Sequence, residues 1–399
     1  MSLEEVVRRS YGKLVAFLAS RTRDVAAAED ALSEAFAKAL EHWPVQGAPA
    51  NPEAWLLTVA RRKFIDMARA RQRHESAIRE GLDAAANEAE IPDQRLGLLF
   101  ACAHPAIDEG IRAPLMLQAV LGLSAERIAS AFLSSPAAMG KRLSRAKEKI
   151  RQTRIPFLVP ARDELPARLD AVLEAIYAAF AEGWSDPAGT DAARRELTGE
   201  ALFLARLVTE LLPSEPEAPG LLALMLYAEA RRQARRSESG EFVPLAKQDQ
   251  SLWDWQVIEE AEALLRQTAA MGRVGRYQLE AALQSAHVAR CRTGRANWAE
   301  VVHLYDALIA LTGSPVPAVN RALALAEADG DGAGLAALDA LAADSRLAGY
   351  QPYWAARAEL LTRTGAHEQA HQAYEIAIGL ERDPAVRRFL RGRQAHATT

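Results

Sequence analysis

The sequence predicts an all-α protein: two small helical domains, the second carrying a helix-turn-helix, followed by a long array of helical hairpins. Three observations carry that expectation. Apolar residues return every three to four positions in stretch after stretch, the period of an amphipathic helix and not the alternation of a strand. Helix starts are written as a capping side chain followed by proline, at Asn51-Pro52 and Ser135-Pro136. Towards the C-terminus Tyr305-Asp-Ala-Leu308 recurs as Leu338-Asp-Ala-Leu341 about 33 positions on, and Ala373-Tyr374-Glu-Ile-Ala377-Ile378 follows after about 36 more.

Bulk properties bound the function. The chain has 399 residues, half of them hydrophobic, enough for two or three domains at roughly 150 residues each. No run approaches the roughly 18 apolar residues of a membrane span, and the N-terminus lacks the charged-then-apolar pattern of a signal peptide, so a cytoplasmic location without a membrane partner is expected. The two cysteines, Cys102 and Cys291, make no disulfide framework and sit in no metal-ligand spacing. A net charge of −4 hides an asymmetry: residues 1–160 hold 23 Lys and Arg against 19 Asp and Glu, the remainder 25 against 33. A nucleic-acid footprint therefore belongs to the N-terminal part.

The first helix is expected over Val6 to Ser20, with Val7, Leu14, Val15 and Leu18 on its apolar side. The second follows Asp24 and runs to about His42, with Leu32, Phe36 and Leu40 as its stripe and Trp43-Pro44 closing it. Its Asp30, Glu34 and Glu41 form an acidic stripe, either solvated surface or a face kept for a basic partner. The third helix, from Glu53 to about Arg73, buries Leu56, Ala60, Phe64 and Met67 and presents Arg61, Arg62, Lys63, Asp66, Arg69 and Arg73. Cations at that density track phosphates more often than they decorate a surface. Trp55, near its start, is either core or a platform for an unpaired base.

Glu75 to Asp93 is charged, Ala-rich and weakly patterned, a linker with some helical character. Gln94 to Leu123 is apolar and helical, interrupted at His104-Pro105. Ser124 then caps a short helix ending near Phe132, and after a turn Ser135-Pro136 starts a second. Met139, Leu143, Ala146 and Ile150 form the buried stripe of that second helix, which leaves Lys141, Arg142, Arg145 and Lys149 outside. A short helix bracing a second with a cationic outer face is the geometry that sets side chains in a major groove while charges hold the backbone; a solvated basic hairpin has the same pattern.

After Ile155-Pro156, helices rich in Ala and Leu are expected at Leu165–Glu182, Leu197–Leu212, Ala218–Arg236 and Leu252–Met271, with the repeat beyond Tyr277. The repeat period, with Gly365 ahead of Ala370, Tyr374 and Ala377, fits tetratricopeptide spacing.

Three stretches in order resemble the ECF (extracytoplasmic-function) class of bacterial RNA polymerase sigma factors. Ala28-Glu29-Asp30-Ala31-Leu32-Ser33-Glu34-Ala35-Phe36 is similar to the segment that docks on the polymerase clamp helices in that family, which implies polymerase contacts at Asp30, Glu34 and Phe36. Pro52 to Arg69 is similar to the segment that reads and melts the minus-ten element, which implies roles for Trp55, Arg61, Arg62, Lys63, Asp66, Arg69 and Arg73. Gly122 to Arg151 is similar to the region-four helix-turn-helix that reads the minus-thirty-five element, which implies Ser135, Ala137, Ala138, Lys141, Arg142 and Arg145. Arg62 stands where the family usually has Asn, and Ser33 where it has Gln. Trp43-Pro44, Leu98 to Pro105 and Asp249-Gln250-Ser251-Leu252-Trp253-Asp254 resemble the subgroup with a tetratricopeptide-like C-terminal extension.

The resemblance implies a region-2 domain over 1–78, a linker over 79–94, a region-4 domain over 95–157 and a helical extension over 158–399. It implies core RNA polymerase and promoter DNA as partners. With no secreted or membrane segment to sense a signal, regulation is expected from a partner protein, from the array with a ligand of its own, or from expression level. Asp249, Gln250, Trp253 and Asp254 are the candidate functional loop there, polar and aromatic enough to hold a small molecule. No catalytic residue, metal or cofactor is expected, because no phosphate-binding Gly-rich loop, metal spacing or nucleophile motif appears. Two rival functions are a DNA-binding regulator that is not a sigma factor and a ligand-sensing helical scaffold.

Overall fold

The computed structural model describes residues 3–71, 94–132, 134–161, 163–184 and 192–397. Among them the regular structure is helical, apart from one isolated bridge between Arg236 and Phe242. The chain divides into two compact units, Met1–Leu211 and Leu212–Thr399.

The first unit holds α1 (Leu3–Thr22), α2 (Val25–Gln46), α3 (Pro52–Arg71), α4 (Arg95–Cys102), α5 (Glu109–Leu121), α6 (Ala125–Ala131), α7 (Pro136–Thr153), α8 (Leu165–Trp184) and α9 (Ala192–Leu211). Local chemistry sets the starts. Asp24 Oδ1 accepts from Ala27 N at 3.0 Å ahead of α2, Asn51 Oδ1 from Ala54 N at 3.1 Å ahead of α3, and Ser135 Oγ from Ala138 N at 3.3 Å ahead of α7. The break at His104-Pro105 separates α4 from α5, as proline before a loop should.

One stripe departs from expectation. The core side of α2 is Leu32, Phe36, Ala39 and Trp43, while Leu40 is 63% exposed. The period alternates four, three, four, so the strict i+8 projection drifts off the face. The helix also runs through Pro44 to Gln46 instead of closing at Trp43. Pro44 forgoes the one bond its position would give to Leu40 O, and the last turn still closes with Gly47 N donating to Trp43 O at 2.9 Å.

The core of the unit forms where α1 packs against α2, α4 and α5. Leu14 to Ala19 of α1, Leu98 to Cys102 of α4 and Leu115 to Leu117 of α5 are all buried. Helices α8 and α9, which the sequence reading placed in the extension beyond residue 157, pack inside this unit: α8 on α4 and α5, α9 on α8 and α6. The apolar stripe of α8, Leu169, Val172, Leu173, Ile176 and Phe180, has to be covered, and the chain reaching it is itself anchored, with Ile155 and Phe157 buried. Arg168 adds a bond across the seam, donating to Phe100 O at 3.1 Å. Most of the 79–94 linker lies outside the described residues.

The second unit holds α10 (Glu217–Glu229), α11 (Trp255–Ala269), α12 (Arg276–Thr293), α13 (Trp298–Thr312), α14 (Pro315–Asp329), α15 (Asp331–Asp339), α16 (Gln351–Arg363), α17 (His367–Leu380) and α18 (Pro384–Ala397). The expected helix Ala218–Arg236 ends at Glu229 and tightens into a short 3₁₀ turn at Arg232–Arg235; the next begins at Trp255, not Leu252. Helix α10 is buried on every side from Ala218 to Tyr227, which makes it the axle on which α11 and α12 pack. From α12 on, each helix packs on the next in chain order, across short connections that make sequence neighbours antiparallel. Val319, Ala322, Ala326, Leu338, Tyr353 and Leu360 form one core cluster, and Leu361, Ala370, Tyr374, Ala377 and Leu390 the next. Small residues let these helices approach closely: a Cβ on Gly334 would stand 2.6 Å from the Ala326 Cβ and 2.7 Å from Ala322 O.

Candidate nucleic-acid interface

Helix α7 has the two-sided character its sequence requires. Met139, Leu143, Ala146 and Ile150 are 0–6% exposed and seat it on α5 and α6, while Ser135, Ala137, Ala138, Lys141, Arg142 and Arg145 all lie on its exposed side. Its brace, α6, is capped by Ser124 Oγ, which accepts from Arg127 N at 3.3 Å, and anchored by buried Ile128 and Ala129. Between α7 and the α4–α5 loop lies an open cleft of about 290 Å³ with Arg142, Arg145 and Lys149 on one wall and Asp108 on the other. Arg142 is partly engaged: it donates to Gly110 O at 3.0 Å and stands 3.8 Å from the Asp108 carboxylate. Arg145 makes no such bond among the described residues and is free to meet a phosphate or a base edge.

Helix α3 is tied to α1 through Glu53, which accepts from Ser10 Oγ at 2.8 Å and pairs with Lys13 at 3.2 Å. Trp55 is half-buried, its ring edge-on to Trp43 at 5.6 Å between centroids and 6.3 Å from His42. It is part of an aromatic cluster with one side still open. Arg62 is exposed, Arg61 and Lys63 half-buried. The side chains of Asp66 and Arg69, and all of Arg73, lie outside the described residues.

On α2 the candidate docking residues separate. Asp30 is exposed. Glu34 is half-exposed but bound within the unit, to Lys63 at 2.5 Å and Lys38 at 3.4 Å; the Lys63 bond, ahead of other causes, holds its carboxyl below the ordinary carboxylate range. Phe36 corrects the sequence reading: it is 9% exposed and stacked on Tyr11, so it positions α2 from the core and offers no surface to a partner. The residue missed was Glu29. Its carboxylate forms an ion pair with Lys147 of α7, both side chains nearly buried, and burial pushes the carboxyl up against the opposing pull of the lysine.

The candidate loop of the second unit turns much of its polar character to bonds within its own chain. Asp249 Oδ1 accepts from Ser251 N at 2.8 Å and Asp254 Oδ1 from Val257 N at 3.1 Å, so both carboxylates cap helices. Asp254 N donates to Ala230 O at 2.9 Å, and Gln250 O accepts from Trp255 Nε1 at 3.2 Å. Trp253, 4% exposed, is core, with Arg231 and His287 each 5.9 Å from its ring. The loop is a brace built from backbone bonds, which a polar, aromatic composition could not distinguish from a ligand site. Cys102 is fully buried, and His104 Nδ1 accepts from Ala106 N at 3.1 Å.

Among the described residues no helix is long and apolar enough to cross a membrane, and no group of three or more His, Cys, Asp or Glu is placed to hold a metal ion. Sigma-70 region 2 matches residues 6–74, the stretch that folds as α1 to α3. A family of unknown function, DUF6596, matches residues 168–269, from within α8 to the end of α11. The chain is 37% identical over 385 residues to "Uncharacterized protein R00370" of Rhizobium meliloti (strain 1021), a match covering 94% of this chain and 90% of that one. No solved structure matches. The chain belongs to the family of this Rhizobium meliloti protein, and its own N-terminal sigma-70 region 2 domain supports placing it among the RNA polymerase sigma factors, which are not an enzyme family.

Proposed function

We propose that the chain is a cytoplasmic sigma factor of the extracytoplasmic-function class that binds core RNA polymerase and directs promoter-specific initiation. The match of sigma-70 region 2 to α1–α3 carries the reading. Helix α2 docks on the polymerase with Asp30 at the contact, and Glu34 joins by exchanging Lys63 for a basic residue of the partner. Helix α3 meets the minus-ten element through Trp55, Arg61, Arg62 and Lys63, with Asp66, Arg69 and Arg73 continuing the same stretch. Helix α7 meets the minus-thirty-five element through Ser135, Ala137, Ala138, Lys141, Arg142 and Arg145. The exposed cationic side of α7, seated by an apolar stripe on a capped short helix, supports that assignment. The helical hairpins of the second unit, with spacing near the tetratricopeptide period, modulate activity through a regulatory protein or ligand.

Purified core polymerase is the test. Wild-type protein should co-elute with it on a sizing column and support run-off transcription from promoters mapped genome-wide, and Asp30→Lys should abolish co-elution without shifting the melting midpoint. Binding to DNA without any to core polymerase would instead make the chain a DNA-binding regulator, the rival that the basic α7 face alone favours.

A further inference from the structure

Just beyond α10 in the second unit, Arg231 is a buried cation with no carboxylate partner among the described residues. It is 7% exposed. Its Nε donates to Tyr227 O at 2.9 Å and its Nη2 to Gln284 Oε1, both neutral acceptors, while Nη1 is buried and meets no acceptor among the described residues. Burial pushes its pKa down to about 10 against the pull of Cys291, and burial pushes that thiol up in turn, so it stays uncharged. Carboxylates on the same elements are engaged elsewhere: Glu229 with Arg232 at 2.8 Å, Asp254 as the cap of α11, and Glu262 with Ser285 Oγ at 2.7 Å. Arg236, whose side chain is 9% exposed, shows the ordinary solution, an ion pair with Asp383. Buried charges are paired because taking an ion out of water without a partner is costly. Arg231 lacks that partner.

A second donor without an acceptor lies beside it. Trp253 is 4% exposed, its ring centroid is 5.9 Å from Arg231 Cζ, and its Nε1 is buried with no acceptor among the described residues. The half-buried Trp255 donates its Nε1 to Gln250 O at 3.2 Å, so the loop supplies an acceptor to one indole and not to the other. An indole N–H taken out of water ordinarily finds a partner. His287, 5.9 Å from the same ring, does not provide one: its Nδ1 accepts from Arg290 and its Nε2 stands 3.5 Å from Cys291 Sγ.

We propose that Arg231 and Trp253 together bind the carboxylate of a small organic acid, whose oxygens accept from Arg231 Nη1 and Trp253 Nε1. The guanidinium edge is shaped for a planar two-oxygen acceptor. One negative charge balances the one uncompensated positive charge, whereas a phosphate dianion would leave an excess in an enclosed place. The turn Gln250–Leu252 next to Trp253 is exposed and packs on the Arg232–Arg235 turn, so its displacement admits the acid while α10 and α12 stay in place. The site gives a chemical class to the ligand through which the second unit modulates activity, and to that extent rests on that reading. Binding itself needs no polymerase.

The probe is sodium acetate, titrated into the exhaustively dialysed full-length chain with sodium chloride holding the ionic strength constant. The indole N–H of Trp253, identified in nitrogen–proton correlation spectra by its loss in Trp253→Phe, should move downfield and saturate. The thermal midpoint should rise as the same site fills. Read from that midpoint, Arg231→Met should weaken acetate binding by about tenfold or more and Trp253→Phe by about fivefold. No saturable shift in the wild type, or variants that bind acetate as the wild type does, overturns the site. An equal response to chloride or to inorganic phosphate makes the partner of Arg231 an adventitious ion only and overturns the carboxylate assignment. The wild-type titration decides even if a variant fails to fold. Co-elution with core polymerase is measured apart, so failure of the sigma-factor reading and failure of this site are told from each other.

Discussion

Arg145→Ala tests DNA contact by α7 separately from its fold. The side chain is exposed, makes no hydrogen bond or ion pair among the described residues, and lies one wall of a cleft away from Asp108. Its removal should change folding stability by less than about 0.5 kcal/mol. If the guanidinium meets a base edge in two-pronged fashion, its loss weakens promoter binding by about 1–3 kcal/mol, roughly 5- to 150-fold. If it meets a phosphate, the slope of log affinity against log salt falls by about 0.9. Arg142→Ala is the contrast, because Arg142 also donates to Gly110 O at 3.0 Å and ties α7 to the α4–α5 loop. That variant should lose about 0.5–1.5 kcal/mol of stability besides its DNA contact. The assay is fluorescence anisotropy of labelled promoter fragments titrated with polymerase holoenzyme at several salt concentrations, with thermal melts of each free variant. Arg145→Ala leaving both affinity and salt slope unchanged would refute the placement of α7 on DNA, as would a parallel loss of polymerase affinity.

Truncation after Leu211 should leave a cooperatively melting first unit, whereas truncation after Pro160 should lower its midpoint and expose apolar surface to a hydrophobic dye, because α8 covers α4 and α5. In the second unit, Gly334→Ala should cost about 1–3 kcal/mol by driving a methyl into Ala326 and Ala322 O, read as a lower denaturation midpoint with an unchanged slope. His287 sets a pH dependence there. Burial, then Arg231 and Arg290, pushes its pKa down to about 4, and its Nδ1 accepts from Arg290 Nη2 at 2.9 Å. As pH falls the unfolded chain takes up the proton first, near 6.5, so stability is complete above about 6.5, declines by up to about 3 kcal/mol towards pH 4 and then levels. Urea melts from pH 7.5 to 4.5 should show that slope, and His287→Gln should flatten it.

Much of the fold was legible because helix formation is local. The caps at Asn51 and Ser135 and the stripe Met139, Leu143, Ala146, Ile150 depend on residues within two turns of one another, and the structure keeps each of them. The cationic face of α7 follows from that stripe by elimination, so those candidate residues were readable before any packing was known. What the sequence could not order were choices between two physically adequate partners. Phe36 satisfied a docking motif and a core position equally well, and only the stacking of Tyr11 from α1 decides for the core. Asp249 and Asp254 suited a ligand loop as well as a helix cap, and the caps take them.

The sequence by itself therefore determined the all-helical class, the helix starts, the cationic side of α7 and the likeness to sigma factors. Tertiary structure alone decided that α8 and α9 belong with the first unit, that Glu34 is held by Lys63, and that Glu29 meets Lys147 across 118 positions of chain. The physical reason is range. Periodicity and capping act within a few residues and leave a repeating trace, whereas an ion pair or a glycine-seated crossing joins distant residues at single points. Gly12 is a trace that such a contact leaves: a glycine placed mid-helix where alanine would be more stable, its purpose visible only once Val120 stands beside it.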